Sequence, residues 1–330
     1  MKTAAVIAVY NGEKWLREQL ESIAGQTLHP DEILIRDDQS SDRSLEVAEQ
    51  FKKDHPELKV KILHAAGNGG YKENFRQLLK AADADWIFLS DQDDFWQPDK
   101  MEKMIEMTRQ HPEIQVLCSS FSFMNADSVP YEVQPKPGWS NNNLYPHPVQ
   151  ADACVPVCFD ELVFHNFFQG CSMMVSRQIR DEVIGHWDGR IAHDWLIALM
   201  AARNRGLYFY NRPLFNYRIH SSNTTGMIQG EKVGLLRKLS NVGSRHYRTI
   251  VKKDSLNVLH VIRDSIPGSW NEARQKELEF FEASLQGVEN KNTGQIWKLR
   301  SSPLYRLSAG RTGWLADFVY TLMPEKEDHA

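Results

Sequence analysis

The chain has 330 residues, 42% of them hydrophobic and 25% charged, proportions that exclude a fibrous or disordered protein. No run of about 18 uninterrupted apolar residues occurs, so no membrane-spanning helix is expected. The net charge of −4 is unevenly spread: from Glu231 onward 16 basic and 12 acidic side chains give +4, leaving −8 on the first 230 residues. Nucleic-acid binding by the acidic part is therefore disfavoured, while the basic tail is suited to something anionic.

The length allows one large domain with an appendage. Apolar runs at Thr3 to Val9, Glu32 to Arg36, Leu58 to Leu63 and Asp85 to Ser90 predict strands. The opening MKTAAVIAVYNGEKW reads as a first core strand and not a secretory leader, because its apolar run stops after roughly seven residues. Helix-period patterns at Glu13 to Ala24, Ser41 to His55 and Lys72 to Ala82 separate the strands, which predicts an open, mostly parallel α/β sheet. A helix from Asp99 to Gln110 and a strand from Ile114 to Phe123 follow. Residues 127 to 159, rich in Pro, Asn and Gly, read as a long excursion such as a substrate loop. Then come a strand at Cys171 to Ser176, an amphipathic helix starting near His193, and a closing pair of strands in LYFYNRPLFNYRIH. From Gly230 the patterns are helical with basic faces. The four cysteines are too few and scattered for a disulfide framework or a zinc site, and read as buried thiols of a reducing compartment.

In open α/β sheets ligands gather beyond the carboxyl ends of the strands. Here those ends are VYNGEKW, RDDQSSD, HAAGNGGYKENF and SDQDD. In an extended segment Asp91 and Asp93 share one side and Gln92 faces away. Two carboxylates so placed suit Mg²⁺ or Mn²⁺, whereas zinc would want nitrogen and sulfur ligands. The competing reading is a set of turn and capping aspartates, with Asp94 or Asp99 capping the next helix. Asp37 and Asp38 suit hydrogen bonds from a base or a ribose, or else an N-cap. Neither G-x-G-x-x-G nor a P-loop is present, and the glycines at 67 to 70 make either a phosphate cradle or a plain turn. Asp194 falls in the first turn of an apolar helix, where the macrodipole favours it structurally and where it could take a proton from an attacking hydroxyl. His193 and Trp195 could frame a sugar. Arg218 and His220, on one face of the last strand, suit a diphosphate or, for the imidazole, a metal, or are ordinary surface and core residues.

The stretches AVYNGEKWLREQLESIAGQT, ILIRDDQSSDRS, NGGYKENFRQLL, FLSDQDDFWQPDK, QGCSMMVSR, HDWLIALMA and YRIHSSNTTG resemble, in this order, the family 2 glycosyltransferases. The resemblance implies an α/β GT-A nucleotide-diphospho-sugar transferase fold, a Rossmann-like mixed, mostly parallel sheet flanked by helices. It implies a catalytic domain over 1–228, with a nucleotide-binding part at 1–110 and an acceptor part at 111–228, and a helical C-terminal region over 229–330. Donor contacts are implied for Val9, Tyr10, Asn11, Asp37, Asp38, Asn68, Lys72, Asp91 and Gln92. A Mg²⁺ or Mn²⁺ ion is implied on Asp91, Asp93 and His220, with Asp93 nearer the metal and Asp91 nearer the ribose. Asp194 matches the catalytic base, Arg218 and His220 the diphosphate neighbours, and Trp96, Gln169, Gly170, His193 and Trp195 the acceptor and sugar positions.

DQDDFW, HDW and YRIHSSN look most like the rhamnosyltransferase subgroup, which builds bacterial surface polysaccharides such as O-antigen, capsule or cell wall. That implies an inverting transfer from dTDP-rhamnose, or of a hexose from a UDP-sugar, to a glycan or lipid-linked acceptor, in the cytoplasm or at the inner face of the plasma membrane. The Q-x-x-R-W motif of processive synthases is missing, so single addition is expected. Two rivals are a catalytically silent nucleotide-sugar-binding subunit and a sugar nucleotidyltransferase. The latter would need a Gly-rich, Arg/Lys-bearing first loop, where VYNGEKW offers only Lys14. The segments LLRKLSNVGSRHYRTIVKK and WKLRSSPLYRLSAGRTGWLADFVYTLM either pack on the catalytic domain or lie on a membrane surface as amphipathic helices.

Overall fold

The computed structural model describes residues 1–133, 144–220, 244–305 and 313–323, in two compact units, Met1–Met227 and Ile228–Ala330. The apolar runs become strands β1 (Thr3–Val9), β2 (Glu32–Asp37), β3 (Val60–His64) and β4 (Trp86–Ser90). They pair in parallel in the order β3-β2-β1-β4. Their side chains are buried on both faces along β1 and β2, as a sheet covered by crossover helices requires. Those helices are α1 (Leu16–Ala24), α2 (Ser44–Asp54) and α3 (Gly70–Ala81). Leu16, Leu20, Ile23 and Phe51 of α1 and α2 and Phe75 and Leu78 of α3 are buried. α1 starts three residues later than its periodicity suggests, because the Gly12 carbonyl accepts from both Trp15 N (3.1 Å) and Leu16 N (3.0 Å) in a preceding turn.

The second half continues the sheet. After β5 (Phe95–Trp96) and α4 (Lys100–Gln110) come β6 (Val116–Asn125), β7 (Pro130–Tyr131), β8 (Cys154–Pro156), α5 (Phe159–Leu162), a 3₁₀ turn (Gly170–Ser172) and β9 (Met173–Ser176). Helices α6 (Arg177–His186) and α7 (His193–Arg203) precede β10 (Leu207–Ile219). β9 lies antiparallel between β4 and β6, and β6 runs parallel to β10, so the sheet is mixed. The expected closing pair of strands is a single 13-residue strand. Its register against β6 shifts between Tyr210 and Pro213 and again between Pro213 and Asn216. Pro213 has no N–H to give the ladder, so the strand bulges where the sequence suggested a turn. Within 127 to 159, short strands β7 and β8 pair with β6 and β10; residues 134–143 lie outside the described residues. Of the four free cysteines, only Cys118 and Cys171 are buried, Cys154 is partly exposed and Cys158 is exposed, which corrects the expectation that all four would be core thiols.

The second unit contains α8 (Arg245–Ser265), α9 (Glu272–Glu289), α10 (Thr293–Leu299) and α11 (Gly313–Leu322). Asn271 and Asn292 cap α9 and α10 by accepting from Arg274 N and Gln295 N. Leu259, Ile262, Phe281, Val288 and Ile296 are fully buried. Among the described residues no helix is long and apolar enough to cross a membrane.

Candidate active site

The ends of β1, β2 and β4 are tied together before any ligand is considered. Gln92 accepts from Tyr10 N (2.8 Å) and donates to Tyr10 O (2.9 Å), clamping the end of β1 to the end of β4. A Cβ on Gly12 would lie 2.4 Å from Gln92 Oε1, so the clamp closes only over a glycine. Asn11, at φ 50°, accepts from Ser41 N (2.8 Å). The Tyr10 side chain is left 48% exposed. Val9, expected at the donor, has its side chain in the core, and its carbonyl accepts from Asp38 N (2.9 Å) and Asn74 Nδ2 (3.2 Å). That corrects any side-chain contact from Val9.

The acidic pair on β2 separates. Asp37 accepts from Ser40 N (3.1 Å) in a side-chain turn. Asp38 is buried and accepts from Gly70 N (2.8 Å), Gly69 N (3.2 Å) and Arg36 Nη1 (3.2 Å). Its carboxylate thus holds the turn into α3, where Gly70 adopts φ 73°, and the direct nucleotide contact expected of it is corrected to a positioning role. Asn68 also accepts from Gly70 N (3.1 Å), and Lys72 Nζ donates to Gly189 O (2.9 Å).

Beyond Ser90 the chain bends, so the alternation assumed for DQDD fails. Donor atoms of Asp91, Asp94 and Cys171 lie within 4.8 Å of one another, while Asp93 Oδ2 turns to His220 Nε2 at 2.8 Å. The His220 ring stacks on Trp15, centroids 4.1 Å apart. Burial, and then the nearby Asp93 charge, push Asp91 up to about 7. Burial, then Asp93 and Asp91, hold Asp94 well above the usual carboxylate range. The Cys171 thiol faces both, and burial and those carboxylates keep it well above an ordinary thiol. Asp94 Oδ1 accepts from Arg218 N (3.2 Å), whereas Oδ2 has no further hydrogen-bond partner among the described residues. Lys100, fully buried, donates to Cys171 O (2.7 Å), lies over the rings of Trp96 and Phe215, and is pulled down to about 8 by burial. Crowded oxygens with an orphaned buried atom fit a hard divalent cation. Two carboxylates with one thiol and no imidazole do not make the nitrogen- and sulfur-rich set of a zinc site.

Two expected ligand contacts are structural pins. Arg218 is fully buried and donates to Asp93 O (2.6 Å), Ser128 Oγ (2.8 Å) and Glu18 Oε2 (2.7 Å), which corrects its assignment to the diphosphate. Arg218→Met should lower unfolding stability by about 1–3 kcal/mol, because the carbonyl of Asp93 and the Ser128 hydroxyl lose their buried donor, while Glu18, 36% exposed, is left to solvent. Chemical denaturation checks this, and unchanged stability would overturn the pin. Trp96 is likewise fully buried beneath Lys100 and offers no face to a sugar, which corrects its assignment to the acceptor.

Across from the end of β4 stands the start of α7. Asp194 Oδ1 accepts from Trp195 N (2.7 Å). Burial pushes Asp194 up to about 6, against the opposing hydrogen bonds from Trp195 N–H, the Asn166 side chain and Gly170 N–H. The 3₁₀ turn joins the two groups, since Gly170 N–H reaches Asp194 while the next residue, Cys171, lies among Asp91 and Asp94. His193 is buried, stacked on Phe75 at 4.0 Å, and pulled down to about 3 by burial and by Lys72. It is a neutral core ring and not a sugar platform, which corrects the expectation that it frames a sugar. Gly170 leaves room for it, since a Cβ there would lie 2.5 Å from His193 Nε2. Trp195, half-buried, donates Nε1–H to Leu162 O (2.7 Å), and the Gln169 carbonyl closes the 3₁₀ turn by accepting from Ser172 N (3.0 Å). Sequence reasoning missed Cys171, Lys100 and Asn166, and counted Asp94 in the acidic cluster without naming it a ligand, a cap being its alternative. The third acid of DQDD was the available signal; nothing local marked the others.

The chain matches the Glycosyl transferase family 2 over residues 4–154. It is 29% identical over 263 residues to the dTDP-rhamnosyl transferase RfbG of Shigella flexneri, covering 75% of this chain and 82% of that protein. It is 30% identical over 250 residues to the uncharacterized glycosyltransferase YwdF of Bacillus subtilis, covering 74% and 84%. Among solved structures, S. aureus TarS 1–349 in complex with UDP superposes with a TM-score of 0.57 at 14% identity, over 97% of this chain and 89% of that one. The mannosyltransferase PcManGT from Pyrobaculum calidifontis, in complex with GDP-Man and Mn²⁺, gives 0.51 at 14% identity, over 98% and 88%. At that identity the likeness concerns the fold.

Proposed function

The chain belongs to glycosyltransferase family 2, and from that membership we propose that it transfers one sugar, with inversion, from a nucleoside-diphosphate donor to a glycan or lipid-linked acceptor hydroxyl. The observation that carries this reading is the opposition of Asp194, at the start of α7, to the acidic cluster that ends β4. Asp194, raised to about 6, is ionised at neutral pH yet basic enough to take the proton of an attacking hydroxyl. The exposed Tyr10 side chain and Asp37 flank the ends of β1 and β2, where open α/β sheets receive their ligands, and are assigned to the base and ribose. Asp91 and Asp94, with Asp93 and His220 beside them, would hold a Mg²⁺ or Mn²⁺ ion, which when bound neutralises charge on a departing diphosphate.

The donor assigned is dTDP-rhamnose, on the likeness to RfbG, with bacterial surface polysaccharide as the setting. The test incubates the protein and Mn²⁺ with dTDP-rhamnose, UDP-hexoses or GDP-mannose, reading released nucleotide with and without a crude glycolipid acceptor fraction. Turnover preferring dTDP-rhamnose is expected. Turnover of another donor would overturn the sugar assignment alone. Binding of a donor without turnover under any condition would overturn catalysis in favour of a binding subunit.

A further inference from the structure

Helix α11, GWLADFVYTL, contains one charged residue, Asp317. In a helix packed on a water-soluble unit the charge faces out and the apolar stripe faces in. Here the one charge faces in and the apolar residues divide: Tyr320, with Phe318 beside it, packs on Val288 and Ile296, while Leu315 and Leu322 face out. Asp317 is 1% exposed and meets two cations of α8, Lys252 at 2.7 Å and Arg248 at 3.8 Å. Gly313, Tyr320 and Thr321 are buried with it. Leu315 and Leu322 stand outward at 45% and 63% exposure, with Trp314, Phe318 and Val319 partly exposed between them. The face extends onto α10, where Trp297, 47% exposed, lies 6.2 Å from the Trp314 ring and 5.5 Å from that of Phe318.

A buried ion pair adds little stability over apolar packing, so its effect here is geometric. Turning the side that carries Leu315 and Leu322 inward would strip Asp317 of Lys252 and Arg248, and the pair therefore holds those two leucines towards water. An exposed apolar patch of this kind marks an interaction site. Its charge indicates the occupant. The cation placed on the patch is Arg300, its guanidinium 4.4 Å from the Trp297 ring centroid, and Lys298, next to Trp297 in the chain, is exposed as well. The chain from Glu231 onward carries +4. Tryptophan and leucine rimmed by Lys and Arg suit the headgroup boundary of an anionic bilayer. A helix of ten residues, about 15 Å long, lies along such a boundary and does not cross it.

We propose that the face formed by Trp297, Trp314, Leu315, Phe318 and Leu322 docks on an anionic phospholipid surface, with Lys298 and Arg300 meeting the headgroup phosphates. This is independent of the donor and of catalysis. Flotation of the full chain with phosphatidylcholine vesicles, alone or mixed with phosphatidylglycerol, tests it, with light scattering of the vesicle-free protein alongside. The wild type should float with the mixed vesicles only. Leu315→Ser with Leu322→Ser should lower partitioning about tenfold or more, since each exposed leucine loses burial in the acyl boundary. Lys298→Glu with Arg300→Glu should lower it about tenfold, and offers a second variant should the first fold poorly. Equal flotation with both vesicle types, or flotation unchanged in both variants, would overturn the proposal. So would a wild-type dimer that the leucine variant dissociates while neither protein floats, which would make a second copy the occupant.

Discussion

Asp194→Asn should lower transfer by about 10²- to 10⁴-fold while leaving donor affinity within about twofold of the wild type. Asparagine keeps an oxygen to accept from the Trp195 and Gly170 N–H groups that orient this side chain, so the start of α7 survives. What is lost is the capacity to take a proton. The wild-type rate should rise with pH through about 6, where Asp194 becomes ionised, and hold above it. The variant should also unfold at a higher temperature at neutral pH. An acid whose folded-state pKa is raised contributes stability fully present below its unfolded value, and that contribution is lost as pH rises through about 6. Steady-state kcat, a donor Kd and a melting curve check the three parts. A variant with near-normal kcat would remove Asp194 from the chemistry.

The other large effect concerns the cluster at the end of β4. Mn²⁺ should raise the melting temperature, and the rise should grow as pH passes through about 7, because the ion competes with the proton held by Asp91. A ligand at 100 times its Kd stabilises by about 2.7 kcal/mol. Asp91→Asn should melt higher than the wild type without metal above about pH 7, where it sheds an ionised carboxylate beside Asp93, and both Asp91→Asn and Asp94→Asn should lose most of the Mn²⁺ response and at least about tenfold in metal-dependent donor affinity. Should both variants keep the full response while Asp93→Ala loses it, the ion belongs to Asp93 and His220, the pair bonded at 2.8 Å.

The four parallel strands and the crossover helices were legible because their signals are local: apolar runs and helix-period stripes are properties of a few turns of chain. The site's location was legible for the same reason, since every strand end announced itself with Asp, Asn or Gly. Side-chain roles were less so. Asp38 and Arg218 read as ligand contacts because charge near a strand end is rare without purpose. Their partners, Gly69 and Gly70 for one and Glu18, 200 residues distant, for the other, are distant in sequence and carry no mark of it.

Taken alone, the sequence determined the sheet, the family and the strand ends where the chemistry gathers, since these follow from periodicity and from motifs a few residues long. Only the tertiary structure decided which acid faces which partner. The bend after Ser90 sends Asp91 and Asp94 towards Cys171 and Asp93 towards His220, and pairing with β6 on both sides of the Pro213 bulge keeps the last strand whole where the sequence suggested two. It also decided that α11 shows its apolar side to water, because the ion pair between Asp317 and Lys252 joins helices 65 residues apart in the chain. Charge pairing and burial act through space, and the residues they join need share no pattern along the chain.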